Sequence, residues 1–435
     1  MAQIVAKKPL ALHWKILLGL IIGVFMGIIA QNSAIDSNVL QIIISYVSII
    51  GKWFLNLIMM IVIPLLFCAI INGIQEVGDI SKLGKLGIRT LIYTLIVTSI
   101  SVFIGIALFS TIQPGKMISE QNKQNLLAQF KAKAEEITDD MNKTQSLPEI
   151  ASSIIPQNPF KEMVFSFDKE PAGGKIIAVM FFAIMFGVGL VNMPNNKSKP
   201  LMDFFDSLFE VNMKIISYAM KLAPFGVAAL MFKLTATTGL SIIGVLLIFM
   251  MLTILALALH LLGTYSLILK FYCGQDPFKF FKDIKDVMIT AFSTSSSNAT
   301  LPTALIVTQE KRRIPKHISN FVLSIGSTAN QNGTALYEGV TVLFLAQLFN
   351  VDLSISQQIY VVVFCIMAGV GTAGVPGGSL PVIAIILASI GVPPEGLAII
   401  VGVDRILDMC RTVINVSGDI VCAEVVHSWE LKKSL

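Results

Sequence analysis

Residues 404–419 read DRILDMCRTVINVSGD, inside an otherwise apolar run: GLAIIVGV precedes them at 396–403 and IVCAEVV follows at 420–426. Asp404, Asp408, Arg411, Thr412, Asn415 and Asp419 recur in steps of three or four, apart from the adjacent 411/412 pair. On a helix that spacing gathers them on one stripe. Ile406, Leu407, Val413, Ile414 and Val416 leave the rest of the surface apolar. A charged side chain at a bilayer midplane costs roughly 2.5–3.5 kcal/mol even on the lenient insertion scale. The charges at 404, 408, 411 and 419 are therefore tolerable only if they face protein, water or ions. A soluble amphipathic helix is the alternative, and the composition of the chain argues against it.

The chain has 435 residues, of which 54% are hydrophobic and only 14% charged. Its mean hydropathy is +0.77. Soluble domains carry about 25% charged residues, so the composition predicts a polytopic membrane protein. Uncharged runs long enough to span lie at 16–30 with its flanks, 53–73, 91–114, 176–193 and 240–269. The basic N-terminus leads into an apolar run without a small-residue cleavage site, which reads as a first span rather than a leader. A formal net charge of +5, spread over loops, implies no nucleic-acid partner. The five cysteines lie in or beside apolar segments and predict no disulfide framework, and the four histidines are too scattered for a metal site.

In chain order, the stretch 39–72 is too long for one upright span and predicts a long tilted helix. Residues 115–172 are the one extended hydrophilic region and read as a solvent-exposed insertion, helical in part. Lys and Arg at the N-terminus, 82–89, 197–199, 270–286, 311–316 and the Lys432, Lys433 tail alternate as short cytoplasmic loops should, with both termini inside. That parity holds only if two later segments enter and leave on the same side. AFSTSSSNATLP at 291–302 is one, a serine-rich break between two apolar pieces, for which a flexible linker is the alternative. Residues 353–394 contain no charge over 42 positions, too many for one span, with the break GVGTAGVPGGSLP at 369–381. Irregular backbone at membrane depth must line a cavity, and paired interrupted segments point to a transporter binding site.

A third element, GSTANQNGTALYEG at 326–339, is a polar patch within the apolar stretch 321–348. Gly333 in mid-helix invites unwinding, and freed carbonyls beside Asn and Asp oxygens suit a small hard cation. Glu338 is a carboxylate among apolar neighbours, suited to carry a proton; a structural pair with Arg or Lys is the alternative.

These motifs resemble the dicarboxylate/amino acid:cation symporters, the family of the archaeal aspartate transporters and the mammalian excitatory amino acid transporters. The resemblance covers nearly the whole chain through IIPQNPF (154–160), APFGV (223–227), TSSSNATLP (294–302), NQNGTALYEG (330–339), GTAGVPG (371–377) and DRILDMCRTVINVSGD. It implies an all-α fold with eight transmembrane helices, two re-entrant helical hairpins and an elevator-type mechanism in a homotrimer. The implied divisions are 1–112 for scaffold helices 1 and 2 with transport helix 3, 113–172 for an extracellular loop, 173–235 for scaffold helices 4 and 5, and 236–435 for the transport core. In that core, Asp408 matches the acceptor of a substrate ammonium and Arg411 the guanidinium that grips a side-chain carboxylate. Thr412, Asn415 and Thr334 match further substrate contacts, Ser296 and Ser297 those to the α-carboxylate, and Val375 the gate. Gly326, Asn330, Asn415 and Asp419 match a buried Na⁺ site, and Asp404 a supporting carboxylate. Thr328 joins the same cation-binding set.

The chain departs from the family pattern at Asn330-Gln331-Asn332-Gly333-Thr334, where relatives have Asn-Met-Asp-Gly-Thr. Asn332 replaces a charged ligand of one cation site, for which Thr98 and Ser99 supply a polar pair. Glu338 aligns with the proton-carrying glutamate of the mammalian members, and neither 295 nor 409 is the Arg that relatives keep at one of these positions. The resemblance thus implies a symporter of L-glutamate or L-aspartate in the inner (plasma) membrane, driven by Na⁺ and/or H⁺ with no other cofactor. Asp408 disfavours plain C4-dicarboxylates, which bring no ammonium, and Arg411 disfavours neutral amino acids. A cystine or C4-dicarboxylate symporter and a gated channel are the alternatives; an intramembrane enzyme lacks a base beside TSSSN.

Overall fold

The computed structural model describes residues 12–33, 36–82, 85–118, 155–164, 176–239, 241–371 and 377–434, and among these every regular element is helical. Most of the hydrophilic insertion and Val375 lie outside the described residues. Helices α1 (Leu12–Asn32), α2 (Ser37–Met59), α3 (Val62–Lys82), α4 (Lys85–Ile112), α5 (Ile176–Val191) and α6 (Asn195–Thr238) form the first part of the bundle. The second part comprises α7 (Ser241–Ala258), α8 (Lys285–Thr294), α9 (Ser297–Glu310), α10 (Lys316–Ala329), α11 (Asn332–Leu348), α12 (Ile355–Gly371), α13 (Ser379–Ser389) and α14 (Leu397–Ser434). Among the described residues, five stretches are long and apolar enough to cross a membrane: Trp14–Asn32, Asn38–Gln75, Gly87–Met117, Asn196–Thr237 and Ile242–Tyr272.

The stretch 39–72 is not one uninterrupted helix. It opens at Met60 and Ile61, between α2 and α3. Pro64 explains the break, because it has no N–H to offer the Met60 carbonyl and its ring crowds that oxygen. α6 runs 44 residues without a break despite Pro200 and Pro224, about 66 Å at 1.5 Å per residue. That is twice a hydrocarbon core, which explains why most of its charged residues, from Lys197 to Lys221, lie in its first two-thirds. α1 packs along α6 through Gly19, Gly23 and Gly27, four residues apart. A Cβ at Gly19 would strike the Pro224 carbonyl; one at Gly23 would lie 2.9 Å from Ala228 Cα, and one at Gly27 2.8 Å from the Phe232 oxygen. Small residues at this spacing let apolar helices approach backbone to backbone. α7 does not end as a plain span at 269; it continues through π-helical turns at Leu259–Thr264 and Ile268–Tyr272.

The two breaks foreseen at 291–302 and 369–381 are present. α8 stops at Thr294, Ser295 turns left-handed at φ +50°, and Ser296 caps α9 by accepting the Ala299 N–H at 3.2 Å. Arg312, beyond α9, fastens this pair of half-length helices to α14. Its Nε donates to Glu424 at 2.6 Å, its Nη1 to Asp283 at 2.7 Å and its Nη2 to Gln275 at 3.1 Å. The uncharged stretch 353–394 splits into α12 and α13 on either side of its glycine-rich break.

α10 and α11 are separated at Asn330 and Gln331, not at Gly333, which lies in the first turn of α11. Gly333 is needed for close approach instead: a Cβ there would lie 2.6 Å from the Arg411 carbonyl oxygen and 2.9 Å from Ile414 Cβ. All 17 residues of α11 are buried, so its polar N-terminus is held at the centre of the protein.

Candidate functional site

α14 carries the foreseen stripe inward. Asp404, Asp408, Arg411, Thr412, Asn415 and Asp419 are all buried, none more than 4% exposed. Burial on this scale requires each charge to find partners. Asp408 Oδ1 accepts from Arg411 Nε at 3.0 Å and Nη2 at 2.8 Å. Arg411 Nη1 reaches Asp404 Oδ1 at 3.2 Å, and its guanidinium stacks 4.4 Å over the Tyr337 ring. One planar group thus bridges two carboxylates and an aromatic face, a task for Arg rather than Lys. Asp408 Oδ2 takes a second guanidinium, Arg405 Nη1, at 3.2 Å, and the Gly377 N–H at 3.3 Å.

Further along α14, Asn415 joins it to the break between α10 and α11. Its Oδ1 accepts the Gly333 N–H at 2.7 Å, satisfying one of the donors that a helix start leaves open. Its Nδ2 donates to Thr334 Oγ1 at 2.9 Å and to Gln331 Oε1 at 2.5 Å. Gln331 in turn donates to the Ser327 carbonyl at 2.8 Å, so α10, α11 and α14 share one amide network. Thr412 turns its hydroxyl back to the Asp408 carbonyl at 2.7 Å. On α9, Ser297 is buried with its Oγ unpartnered, while Ser296 is occupied as the helix cap.

A cluster of oxygens lies at Asp419. Asn330 Nδ2 donates to Asp419 Oδ1 at 2.9 Å, and Asn330 Oδ1 is buried without a partner. A Cβ at Gly326 would strike Asp419 Oδ1 and lie 2.6 Å from its Cγ, so only glycine lets the carboxylate reach the end of α10. A carboxylate, an orphan amide oxygen and the carbonyls of an interrupted helix are the donor set of a hard cation such as Na⁺. Thr328 donates its hydroxyl to the Ile325 carbonyl at 3.0 Å.

Asn332 lies in a separate polar knot. Thr98 Oγ1 donates to Asn332 Oδ1 at 2.5 Å, and Asn332 Nδ2 donates to Tyr265 Oη at 3.0 Å. Tyr265 passes its own proton to the Ile414 carbonyl at 3.1 Å. Ser99 is not part of it and bonds back to the Leu95 carbonyl at 2.7 Å. Ser101 takes that place, donating to the Asn332 carbonyl at 2.9 Å. The correction is one of helical phase, since residues three apart share a face and adjacent ones do not. Glu338 is fully buried in mid-α11.

Arg405, Tyr337, Tyr265 and Ser101 join the site beyond the residues named from the sequence, and Gln331, there only a departure from the family pattern, gains a place in the amide network. Arg405 and Ser101 were accessible by the i, i+3 rule from Asp408 and Thr98. Tyr265 was not, because its partners at 332 and 414 are remote in sequence.

The sodium:dicarboxylate symporter family matches residues 12–429 of the chain. The chain is 35% identical over 428 residues to a proton/sodium-glutamate symport protein of Bacillus caldotenax, covering 97% of this chain and 95% of the relative. It is 32% identical over 426 residues to the proton/glutamate-aspartate symporter of Escherichia coli (strain K12), with 97% and 93% covered. Excitatory amino acid transporter 3 of Homo sapiens is 29% identical over 464 residues, with 98% and 87% covered. With a buried site of paired carboxylates and guanidinia between interrupted apolar helices, and a family match over nearly its whole length, this multi-pass membrane protein belongs to the sodium:dicarboxylate symporter family.

Proposed function

We propose that the chain is a secondary active symporter that takes up L-glutamate and L-aspartate, coupled to Na⁺ and/or H⁺. The observation that carries this reading is Arg411 beside Asp408, a buried cation and a buried anion 2.8 Å apart on one helix face. A substrate with an ammonium and a distal carboxylate answers both: the ammonium goes to Asp408 and the carboxylate to the fork of Arg411. Thr412 and Asn415 continue that face, Thr334 meets Asn415 from α11, and Ser296 and Ser297 present the α9 N-terminus to the α-carboxylate, where the helix dipole favours an anion. The role of gate falls to Val375 by the family resemblance alone.

Gly326, Asn330, Asn415 and Asp419 hold one Na⁺. At Asn332 the coupling differs. Its amide is neutral and bonded at both ends to Thr98 and Tyr265, which favours fewer sodium ions than a charged Asp would support. Glu338, buried in α11, is then the carrier of a coupled proton.

The chain works as a homotrimer in the inner membrane with both termini cytoplasmic. Eight helices span, and the α8–α9 and α12–α13 pairs are re-entrant hairpins. Residues 236–435 with helix α4 form a transport domain that moves like an elevator against a scaffold of the remaining spans.

Equilibrium binding to the purified protein tests the substrate. Radiolabelled L-aspartate must be displaced by L-glutamate, and by L-asparagine at least about 30-fold less well, the worth of roughly 2 kcal/mol for a charge-assisted hydrogen bond. Asparagine binding as tightly as aspartate refutes the assignment of Arg411.

A further inference from the structure

Asp408 has more partners than an acceptor for one ammonium needs. Arg411 occupies Oδ1 through two donors, at 3.0 and 2.8 Å. Oδ2 faces Arg405, one turn earlier on α14, whose Nη1 lies at the longer distance of 3.2 Å. Arg405 is 8% exposed, and its Nε has no hydrogen-bond partner. An unmet buried donor is costly, so Arg405 is the less well satisfied of the two guanidinia and the easier to dislodge. Arg411 is locked by Asp404 and Tyr337 as well. In formal charge, Asp404, Arg405, Asp408 and Arg411 sum to zero, so the quartet is balanced only while Arg405 counts as a member.

We propose that Arg405 is the resident counter-cation of Asp408, which the ammonium of an amino-acid substrate displaces, and that it thereby sets how strongly the site prefers amino acids over amine-free diacids. The proposal rests on the acidic-substrate reading given above. An ammonium arriving at Asp408 gains only the difference between its own bond and that of Arg405. A diacid without an ammonium leaves Asp408 paired with Arg405 and forfeits little. Arg405 thus narrows the gap between the two ligand classes, which Asp408 and Arg411 alone would make wide.

The test is a pair of binding constants, for L-aspartate and succinate, measured on purified wild type, Arg405→Gln and Arg405→Met. Both neutral variants are expected to raise the ratio of succinate Kd to aspartate Kd at least about 10-fold, with aspartate bound no more weakly than in the wild type. Arg405→Lys keeps a cation beside Asp408 and is expected to hold the ratio within about threefold of wild type. Methionine is close to arginine in length and apolar, so the Met variant stands in if Gln proves unstable, and melting curves report the fold. A residue with a merely structural role would weaken both ligands alike and leave the ratio unchanged, which overturns the proposal. Loss of aspartate binding in the neutral variants also overturns it, by making Arg405 a direct holder of a substrate carboxylate. Wild-type protein that binds neither ligand overturns the acidic-substrate reading and this proposal with it.

Discussion

Gly326→Ala isolates the cation site, because the fit between α10 and the Asp419 carboxylate depends on the absence of one carbon. The added Cβ would lie 2.6 Å from Asp419 Cγ and 3.2 Å from its Cβ, at a buried position of the helix. Asp419 has to swing away, and its bond from Asn330 Nδ2, now 2.9 Å, breaks. Loss of a charge-assisted hydrogen bond costs about 1.5–3 kcal/mol and overpacking about 1–3 kcal/mol. Part of this is relieved by relaxation, leaving roughly 2–4 kcal/mol against the arrangement in which Asp419 and Asn330 Oδ1 can share an ion. A shift of that size is a roughly 30- to 700-fold rise in the Na⁺ concentration for half-maximal effect. The assay is a sodium titration of L-aspartate binding to purified protein. Gly244→Ala is the matched control, since a Cβ there meets nothing beyond its own stretch of helix and helix propensity favours the change. A Gly326→Ala variant with an unaltered sodium titration refutes the placement of the ion between Gly326, Asn330 and Asp419.

Arg411→Lys keeps the charge but not the planar fork that reaches Asp404 and Asp408 together; it is expected to weaken L-aspartate binding at least about 100-fold by competition assay. Arg312→Ala leaves Asp283 and Glu424 without their shared cation, and breaking a buried pair costs about 3–5 kcal/mol, so a markedly lowered melting temperature is expected with purified protein in detergent. Glu338→Gln removes a proton site while keeping the shape of the side chain, so proteoliposome uptake is expected to lose its pH dependence; an unchanged pH profile puts the proton elsewhere.

Local patterns carried the architecture into the sequence. Steps of three and four residues located the α14 stripe, because a helix repeats every 3.6 residues and a buried charge needs a protein-facing side. The serine and glycine breaks were visible because they interrupt runs too long or too polar for a single span. Pro64 offered the break between α2 and α3 to a reader attentive to proline, and Gly19, Gly23 and Gly27 offered the α1–α6 packing. What stayed hidden depends on residues remote in sequence. Asn415 caps α11 from 82 positions away through Gly333, which moves the interruption to Asn330 and Gln331. Arg405 escaped because it adjoins Asp404 and falls between the counted steps. Whether Ser99 or Ser101 meets Asn332 was decided by phase alone, and there the i, i+3 rule favours 101.

The most direct measurement is concentrative uptake of radiolabelled L-glutamate and L-aspartate by the purified protein in liposomes, first under an inward Na⁺ gradient and then under a pH gradient alone. Accumulation above the external concentration is expected under at least one gradient, abolished when the gradients are collapsed and by Arg411→Lys. Equilibration without accumulation would mark a channel, and no uptake of either amino acid under any gradient would contradict the acidic amino-acid site at Asp408 and Arg411.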